Sequence, residues 1–141
     1  MVYPSSFTHG KESDLGDGNH FVNKDSTIYL NVCAMYFDVL KDDYSLREWF
    51  DMMIDSEIEQ GNRIIKKDIA GHSYIIEGNT KGGRCFYSKA ICKKAYEREV
   101  IVTMKLEYTD SKKEEVRAII CLYNSISDEY TWKDISIEWT K

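Results

Sequence analysis

The stretch that decides the fold is residues 100–108, which read V-I-V-T-M-K-L-E-Y. Apolar residues stand at every second position of this stretch, namely Val100, Val102, Met104, Leu106 and Tyr108. Polar residues occupy three of the positions between them, which are Thr103, Lys105 and Glu107. Since consecutive side chains of a strand point to opposite faces of a sheet, this alternation predicts a β-strand with one face toward a core.

Three further strand candidates precede it, at residues 63–66, 72–78 and 84–93. A turn at Lys81-Gly82-Gly83 separates the last two. The connections between these runs are too short for crossover helices, so they predict hairpins and a mainly antiparallel sheet. The strand at 84–93 is the expected partner of the strand at 100–108.

An earlier strand is predicted at residues 28–36, where both alternating sets contain apolar side chains. One set is Ile28, Leu30, Val32, Ala34 and Tyr36, and the other is Tyr29, Asn31, Cys33 and Met35. A strand that is apolar on both faces is expected to be covered on both. Helices are therefore expected on each side of the sheet.

Two helices are marked by capping boxes, in which a serine is followed by a glutamate three residues later. The first pairs Ser45 with Glu48, has Tyr44 and Trp49 at the spacing of a hydrophobic staple, and ends before Gly61. Its apolar face is predicted to consist of Leu46, Trp49, Phe50, Met53 and Ile54.

The second helix is predicted from the capping box of Ser111 and Glu114. Apolar residues then recur at three and four positions, which is the spacing of one helix face. They are Val116, Ile119, Ile120, Tyr123 and Ile126.

The two ends of the chain have a different character. Residues 1–25 lack sustained periodicity and are interpreted as an irregular lead-in with a tight turn at Asp17-Gly18. Residues 129–141 return to a period of two, with Ile135, Ile137 and Trp139 as the apolar set, and predict a final strand or an extended tail. The 141 residues are expected to form a single α+β domain, a mainly antiparallel central sheet with helices packed on it as an α/β/α sandwich.

Composition excludes several classes of protein. Hydrophobic residues at 43% and charged residues at 30% are ordinary globular values, so a packed core is expected. A net charge of -5 argues against nucleic acid and against anionic membrane surfaces as partners, because both select clustered Lys and Arg. The nearest basic group, at residues 89–98 around Tyr96, is interpreted as a solvated turn.

The compartment is open on sequence grounds. No apolar run reaches the roughly 20 residues that a membrane span needs, so a soluble acidic chain is expected. It is either cytoplasmic or exported with its signal removed, since almost nothing precedes the Tyr3-Pro4 pair. The four cysteines, which are Cys33, Cys85, Cys92 and Cys121, show no zinc spacing and allow either free or paired thiols.

Several short motifs, in order along the chain, resemble the Mog1/PsbP-like family over residues 3–127. They are Tyr3-Pro4, Asp17-Gly18 with Phe21, Tyr74-Ile75-Ile76-Glu77-Gly78, Phe86-Tyr87 with Lys89, Leu106-Glu107-Tyr108 and Asn124-Ser125-Ile126. The chain departs from the family by lacking most of the strand that normally precedes the Tyr-Pro pair, and by continuing some 14 residues past the last helix.

The resemblance implies an α/β/α sandwich and a partner domain rather than a catalyst. Members include an auxiliary protein of the photosynthetic oxygen-evolving complex, a Ran-GTPase-binding nuclear transport factor and bacterial lipoproteins of unknown role. Their common activity is binding, and a fold does not transfer a specific partner. The resemblance therefore implies a small domain of bacterial type that binds a protein whose identity stays open.

Two groups of residues are candidates for chemistry. Cys85, in the run G-G-R-C-F, with His72 offers a thiol and a base for a small thiol-dependent or hydrolytic enzyme, and this is the alternative function. His9, Asp14, Asp17 and His20 are weak candidates for a divalent metal site, although their spacing matches no established metal loop. A buried structural thiol and a flexible acidic turn are the simpler interpretations, and no catalytic residue, metal or cofactor is predicted.

Aromatic residues carry the leading hypothesis, a non-enzymatic binding or accessory domain that acts through protein contacts. Ten tyrosines and three tryptophans are an unusual feature of the chain. Most are expected in the core, but such side chains also anchor interfaces. The candidate partner-surface residues are Tyr29, Met35, Tyr130, Trp132 and Trp139. The chain is expected to be a monomer or a weak homodimer.

Overall fold

The computed structural model describes residues 7–10, 18–36, 45–95 and 98–129. Within these residues seven strands form one antiparallel sheet in the order β1-β2-β3-β7-β6-β5-β4. The strands are β1 Phe7–His9, β2 Gly18–Asn23, β3 Ile28–Tyr36, β4 Arg63–Ala70, β5 Ser73–Asn79, β6 Cys85–Ala95 and β7 Arg98–Tyr108.

The stretch quoted first is the centre of the sheet. β7 pairs with β6 on one side, as predicted, and with β3 on the other. In the second pairing Leu30 lies opposite Leu106 and Val32 opposite Met104, so the apolar sets of the two strands share one face. This matching of faces sets the register, because a slip of one residue would turn every apolar side chain to the wrong side.

The part of the chain that the structure describes also contains two α-helices, α1 Leu46–Glu59 and α2 Lys113–Glu129. α1 buries Trp49, Phe50 and Ile54 on one face of the sheet, in a cluster with Tyr74, Ile76, Phe86, Ala90 and Ile101. α2 buries Val116 and Ile119 on the opposite face, in a cluster with Phe7, Phe21, Ile28, Leu30, Val32, Tyr87, Met104, Leu106 and Tyr108. The predicted α+β architecture, with helix cover on both sides of the sheet, is confirmed.

The first helix begins and ends at the predicted residues. The Ser45 hydroxyl accepts a hydrogen bond from the backbone N–H of Glu48 at 3.2 Å, which is the predicted cap. At the other end the Gly61 N–H donates to Ile58 and the Asn62 N–H to Glu57, and Gly61 has φ 84°. Only a residue tolerant of positive φ closes a helix in this way. Tyr44, the other half of the predicted staple, lies outside the described residues.

The start of the second helix differs from the prediction. A 3₁₀ turn, Asp110–Lys112, leads into α2, so Ser111 lies inside this turn rather than capping it. The cap position is Thr109, whose hydroxyl instead lies 3.2 Å from the Ser111 hydroxyl. Among the described residues, no helix is both long and apolar enough to cross a membrane.

The prediction of an irregular lead-in over residues 1–25 is wrong for Phe7–His9 and Gly18–Asn23. These residues form β1 and β2. Gly18 begins β2 opposite Cys33, and Asp17, the other half of the predicted turn, lies outside the described residues. These strands form because β2 pairs with the edge of β3, and β1 then pairs with the edge of β2. The predicted C-terminal strand or tail at residues 130–141 lies outside the described residues.

Asn23 organises the hairpin that connects β2 to β3. Its side chain is buried and accepts hydrogen bonds from the N–H groups of Thr27 and Ile28, at 2.9 and 2.8 Å. Its amide nitrogen donates to Asp25 and to the Thr27 hydroxyl. All the polar atoms of the buried amide therefore have partners, as a buried polar group requires.

Candidate functional site

Tyr29 is an exposed aromatic residue on the open part of the sheet. It belongs to β3 and faces the same side as α1, because its cross-strand partner is Glu107, in the polar set of β7. α1 packs mainly on β4 and β5, at the other end of the sheet. The Tyr29 side chain is 38% exposed, which is high for a residue in a central region of a sheet.

Arg84 holds this tyrosine in place. Its guanidinium carbon lies 4.9 Å from the centroid of the Tyr29 ring, a cation–π distance. The guanidinium Nη2 donates to the backbone carbonyls of Thr27 at 3.0 Å and Glu107 at 3.3 Å, and Nε lies 4.0 Å from the Glu107 carboxylate. Groups of β3, β7 and the turn before β3 therefore hold the guanidinium in place against the Tyr29 ring.

Polar side chains continue the surface beside Tyr29. In the next register row His20, Asn31 and Lys105 stand side by side on β2, β3 and β7. The His20 ring is hydrogen-bonded to the Asn31 side chain, and Lys105 pairs with Glu57 of α1 while lying 4.9 Å from the Phe86 ring centroid. We call Tyr29, Arg84, Glu107, His20, Asn31 and Lys105 the Tyr29 surface.

The other candidate partner-surface residues have different positions. Met35, six residues along β3 on the same face, is partly buried and packs against the cluster under α1. The sequence predicted Met35 to be exposed with Tyr29 because strand alternation shows that the two residues share a face of the sheet. Alternation does not show how much of that face a helix covers. Tyr130, Trp132 and Trp139 lie outside the described residues.

A cleft of about 460 Å³ lies on the α2 side of the sheet, next to Cys85. Its polar lining includes Glu77, Asn79, Asp110, Lys113 and Arg117. The Cys85 Sγ lies 3.8 Å from the Asp110 carboxylate. Burial, together with this negative charge, raises the pKa of the Cys85 thiol and keeps it protonated near neutral pH. A protonated thiol is a poor nucleophile.

The structure separates Cys85 from His72. Cys85 begins β6 opposite Asn79, whereas the carbonyl of His72 accepts a hydrogen bond from the N–H of Cys92 at the far end of the same hairpin. Seven residues of strand separate the two positions, which is roughly 20 Å at the usual rise per residue. The combination of thiol and base that motivated the enzyme alternative is therefore not assembled in this fold.

The two histidines of the weak metal candidate also lie apart. His9 is opposite Phe21 in β1 and packs on its ring at 5.1 Å, on the α2 side. His20 precedes Phe21 in the same strand and so points to the α1 side. His9 and His20 thus cannot share an ion, and Asp14 and Asp17 are outside the described residues. Among the described residues there is no group of three or more His, Cys, Asp or Glu side chains suited to a metal.

Arg84 is one of the site residues that the sequence did not indicate, together with Asn31, Lys105 and Glu107. It follows the glycine turn at residues 81–83, where a charged residue is expected to be solvated. Its contacts with Thr27 and Tyr29 are made across more than fifty residues of chain. Cys85, Cys92 and Cys121, by comparison, are free thiols in the structure.

Comparisons with protein-family models and with curated protein sequences found no match to this chain. Solved structures do resemble it. The solution structure of cyanobacterial PsbP (CyanoP) from Synechocystis sp. PCC 6803 matches with a TM-score of 0.59 and 13% identity, over 87% of this chain and 81% of that one. LpqN of Mycobacterium tuberculosis, described as involved in cell envelope biogenesis, matches with a TM-score of 0.55 and 10% identity, over 84% and 75%.

The Saccharomyces cerevisiae Ran-binding protein Mog1p matches with a TM-score of 0.46 and 13% identity, over 83% of this chain and 76% of that one. At such identities the likeness concerns the fold, which matches the family resemblance of the short motifs. The matches to PsbP and LpqN therefore show a PsbP-like α+β fold over most of the chain.

Proposed function

We propose that this chain is a non-enzymatic accessory domain that binds a protein partner through the Tyr29 surface. The observation that carries the proposal is the exposed Tyr29 ring braced by the Arg84 guanidinium at 4.9 Å. Tyr and Arg are the residue types that dominate binding energy at protein interfaces. In this chain Tyr29 and Arg84 are in contact with each other on the surface of the sheet.

Rigidity supports this assignment. A side chain that is already held in one place loses little conformational entropy when a partner covers it, so more of the contact energy appears as affinity. The Arg84 hydrogen bonds to Thr27 and Glu107 supply this preorganisation. A flexible surface tyrosine would lack it.

The surroundings also fit an interface rather than a reaction site. The Tyr29 surface combines one aromatic ring with hydrogen-bonding groups that are positive, negative and neutral, namely Lys105, Glu107 and Asn31. This is the usual arrangement of an aromatic anchor inside a polar rim. By contrast, the thiol alternative has a Cys85 held protonated and a His72 at the far end of the hairpin.

The experiment places a photo-crosslinking phenylalanine derivative at position 29 of the full chain, expressed in its native cells. Irradiation is expected to join the chain to one discrete protein, visible as a single heavier band and identified by mass spectrometry. The matched control carries the same group at Met52, an exposed apolar residue of α1 with 42% exposure. Only position 29 is expected to give the specific product.

Specificity is tested with Arg84→Ala in the same crosslinking chain. Loss of the Arg84 guanidinium is expected to reduce the yield several-fold, because the aromatic group at position 29 then pays an entropic cost on binding. An excess of the chain without the crosslinker should also suppress the product. Equal, diffuse labelling from positions 29 and 52 would overturn the proposal.

A further inference from the structure

The cleft beside Cys85 has a floor of polar side chains from three strands. Asn79 of β5 lies opposite Cys85 of β6, and Cys85 lies opposite Tyr108 of β7, so the three stand in one register row on the α2 side. The cleft volume of about 460 Å³ is within the range of pockets that hold small molecules, which is roughly 300–1,000 Å³. The floor therefore offers an amide, a thiol and a phenol to a bound molecule.

The hydroxyl of Tyr108 is the group in this floor that most needs a partner. Tyr108 is buried, with 7% of its surface exposed, and it lines the cleft. Burial raises the pKa of Tyr108, and the nearby charges of Glu77 and Asp110 raise it further, so the hydroxyl keeps its proton at neutral pH. Among the described residues, no group is hydrogen-bonded to this hydroxyl. Because a buried polar group without a partner costs free energy, a ligand that supplies an acceptor is stabilised here.

Charged side chains of both signs surround the cleft. The carboxylates are Glu77, on β5, and Asp110, in the 3₁₀ turn before α2. The cations are Lys113 and Arg117, which are four residues apart on α2 and therefore lie on one face of the helix. Two negative and two positive charges balance, so a molecule that carries both signs matches the cleft better than an anion or a cation.

The existing ion pairs of these groups are weak. Nη1 of Arg117 lies 3.0 Å from a carboxylate oxygen of Glu114, and the two side chains are 61% and 86% exposed. Nζ of Lys66 lies 3.9 Å from a carboxylate oxygen of Glu77. Exposed pairs of this kind contribute little to stability, because water screens them. Moving Arg117 or Glu77 toward a ligand therefore costs little.

Apolar side chains complete the lining of the cleft. The bulge in β4 leaves Ile65, between Ile64 and Lys66, without a partner on β5, and Ile65 lines the cleft. Bulges often re-aim a side chain next to a functional site. Ile65 is 64% exposed, the highest value among the large apolar residues of the described chain, and Val116 and Ile120 of α2 line the same cleft. An apolar group of a ligand would cover Ile65.

We propose that this cleft binds a free α-amino acid with a large apolar side chain. Lys113 and Arg117 pair with its carboxylate, to which the Tyr108 hydroxyl donates, and Glu77 pairs with its ammonium group. Its side chain packs on the apolar lining. Hydrogen bonds to charged groups are the strong ones, and they gain strength where water is partly excluded. The site is separate from the Tyr29 surface, which lies on the opposite face of the sheet.

The test is a titration of the full chain with L-leucine and with L-phenylalanine, followed by residue in ¹H–¹⁵N NMR spectra. Saturable shifts are expected around the cleft, at Asn79, Cys85, Tyr108 and Lys113. N-acetyl-leucine lacks the ammonium charge and leucine amide lacks the carboxylate, so each is expected to bind about tenfold more weakly than leucine. Equal binding of leucine and either derivative would show that one charge is sufficient, and it would overturn the proposal.

Tyr108→Phe removes only the hydroxyl. It is expected to weaken leucine binding about fivefold, because one hydrogen bond to the ligand is lost. The free energy of unfolding of the ligand-free chain is expected to be unchanged, since the hydroxyl has no partner there to lose. Urea denaturation of the variant measures this and shows that it is folded. Unchanged leucine affinity in the folded variant would overturn the proposed role of Tyr108 and, with it, the site.

Arg117→Gln removes one of the two cations and is expected to weaken leucine binding about tenfold. The matched control is Arg47→Gln, because Arg47 is likewise an exposed helix arginine paired with a carboxylate, but on α1 at the other face of the sheet. The control is expected to leave the affinity unchanged. Equal losses in the two variants would show an effect of net charge alone. That result, or the absence of saturable shifts with both amino acids, overturns the proposal.

Discussion

Gly78 of β5 lies directly against Arg63 of β4, so closely that a Cβ at position 78 would overlap the Arg63 carbonyl oxygen. The same Cβ would stand 2.9 Å from Cε1 of the buried Phe86 ring. The close approach occurs beside the bulge between Ile64 and Lys66. Here glycine serves packing rather than an unusual φ.

We expect Gly78→Ala to lower the free energy of unfolding by about 3 kcal/mol, because backbone and a core ring must both move. Urea denaturation followed by circular dichroism measures the loss. Gly82→Ala is the control, since the nearest atom to its Cβ would be Thr80 Oγ1 at 3.8 Å and the change should stay within about 0.5 kcal/mol. Equal stabilities of the two variants would show that β5 lies further from β4 than described.

Arg84→Ala is expected to destabilise the domain by about 1–2 kcal/mol, because it removes the Tyr29 contact and the guanidinium hydrogen bonds to the Thr27 and Glu107 carbonyls. Arg47→Ala is a matched control. Arg47 also lies over an aromatic ring, that of Phe50 at 5.7 Å, and pairs with Asp51, but its side chain is 67% exposed. Its loss should cost about 0.5 kcal/mol or less. A larger effect at Arg47 in the same urea titration would contradict this account of Arg84.

Asp25 makes stability depend on acid pH. The Thr27 hydroxyl donates to its carboxylate at 2.6 Å, and this hydrogen bond, followed by the charge of Lys112, lowers the pKa of Asp25 below its ordinary 3.8. A carboxyl whose pKa is lower in the folded chain than in the unfolded chain stabilises the fold at pH values above its unfolded-state pKa. That stability is lost as the pH falls through the folded-state pKa.

The difference in stability between the wild type and Asp25→Asn should therefore be present above about pH 4 and shrink as the pH falls below it. Lys112→Gln should reduce this pH dependence without abolishing it, because the Thr27 hydrogen bond remains. Urea midpoints measured from neutral pH down to acid pH test the expectation. A difference that grows as the pH falls would contradict the assigned sign.

The thiols should differ in reactivity. Burial and the Asp110 charge raise the pKa of Cys85, and burial and the Glu99 charge raise that of Cys92, whereas Cys121 is exposed. At neutral pH we expect iodoacetamide to modify Cys121 first, as followed by peptide mass spectrometry, because the thiolate is the reacting species.

Asp110→Asn should increase the rate of Cys85 alkylation several-fold by removing the neighbouring negative charge. Cys92 is the internal control, since Asp110 is not among the groups that shift its pKa. Rapid alkylation of Cys85 in the wild-type chain would contradict this expectation and would support a role for this thiol as a nucleophile.

The local elements were predictable where each had a local cause. The start of α1 at Ser45 and its end before Gly61 could be predicted, because a side-chain cap and a positive φ are properties of single residues. The strand at residues 100–108 was predictable from alternation alone. β1 and β2 were missed because β1 has only three residues and β2 has little alternation, so both depend on pairing with a distant edge.

The candidate site was predictable only in part. Strand alternation indicated Tyr29 and Met35 as one face, and the structure exposes the first while packing the second near α1. Arg84 carried no local indication, since its three carbonyl and ring partners come from β3, β7 and the turn before β3. Equally, the separation of Cys85 from His72 depends on the pairing of β5 with β6.

The sequence by itself determined the helices, the central strands and the antiparallel class, because capping, alternation and short connections act within a few residues. Only the tertiary structure decided which side chains meet: Arg84 with Tyr29, His9 and His20 on opposite faces, and β4 as the open edge. The physical reason is that register and strand order follow from burying two apolar faces at once, a requirement on the whole chain rather than on any one segment.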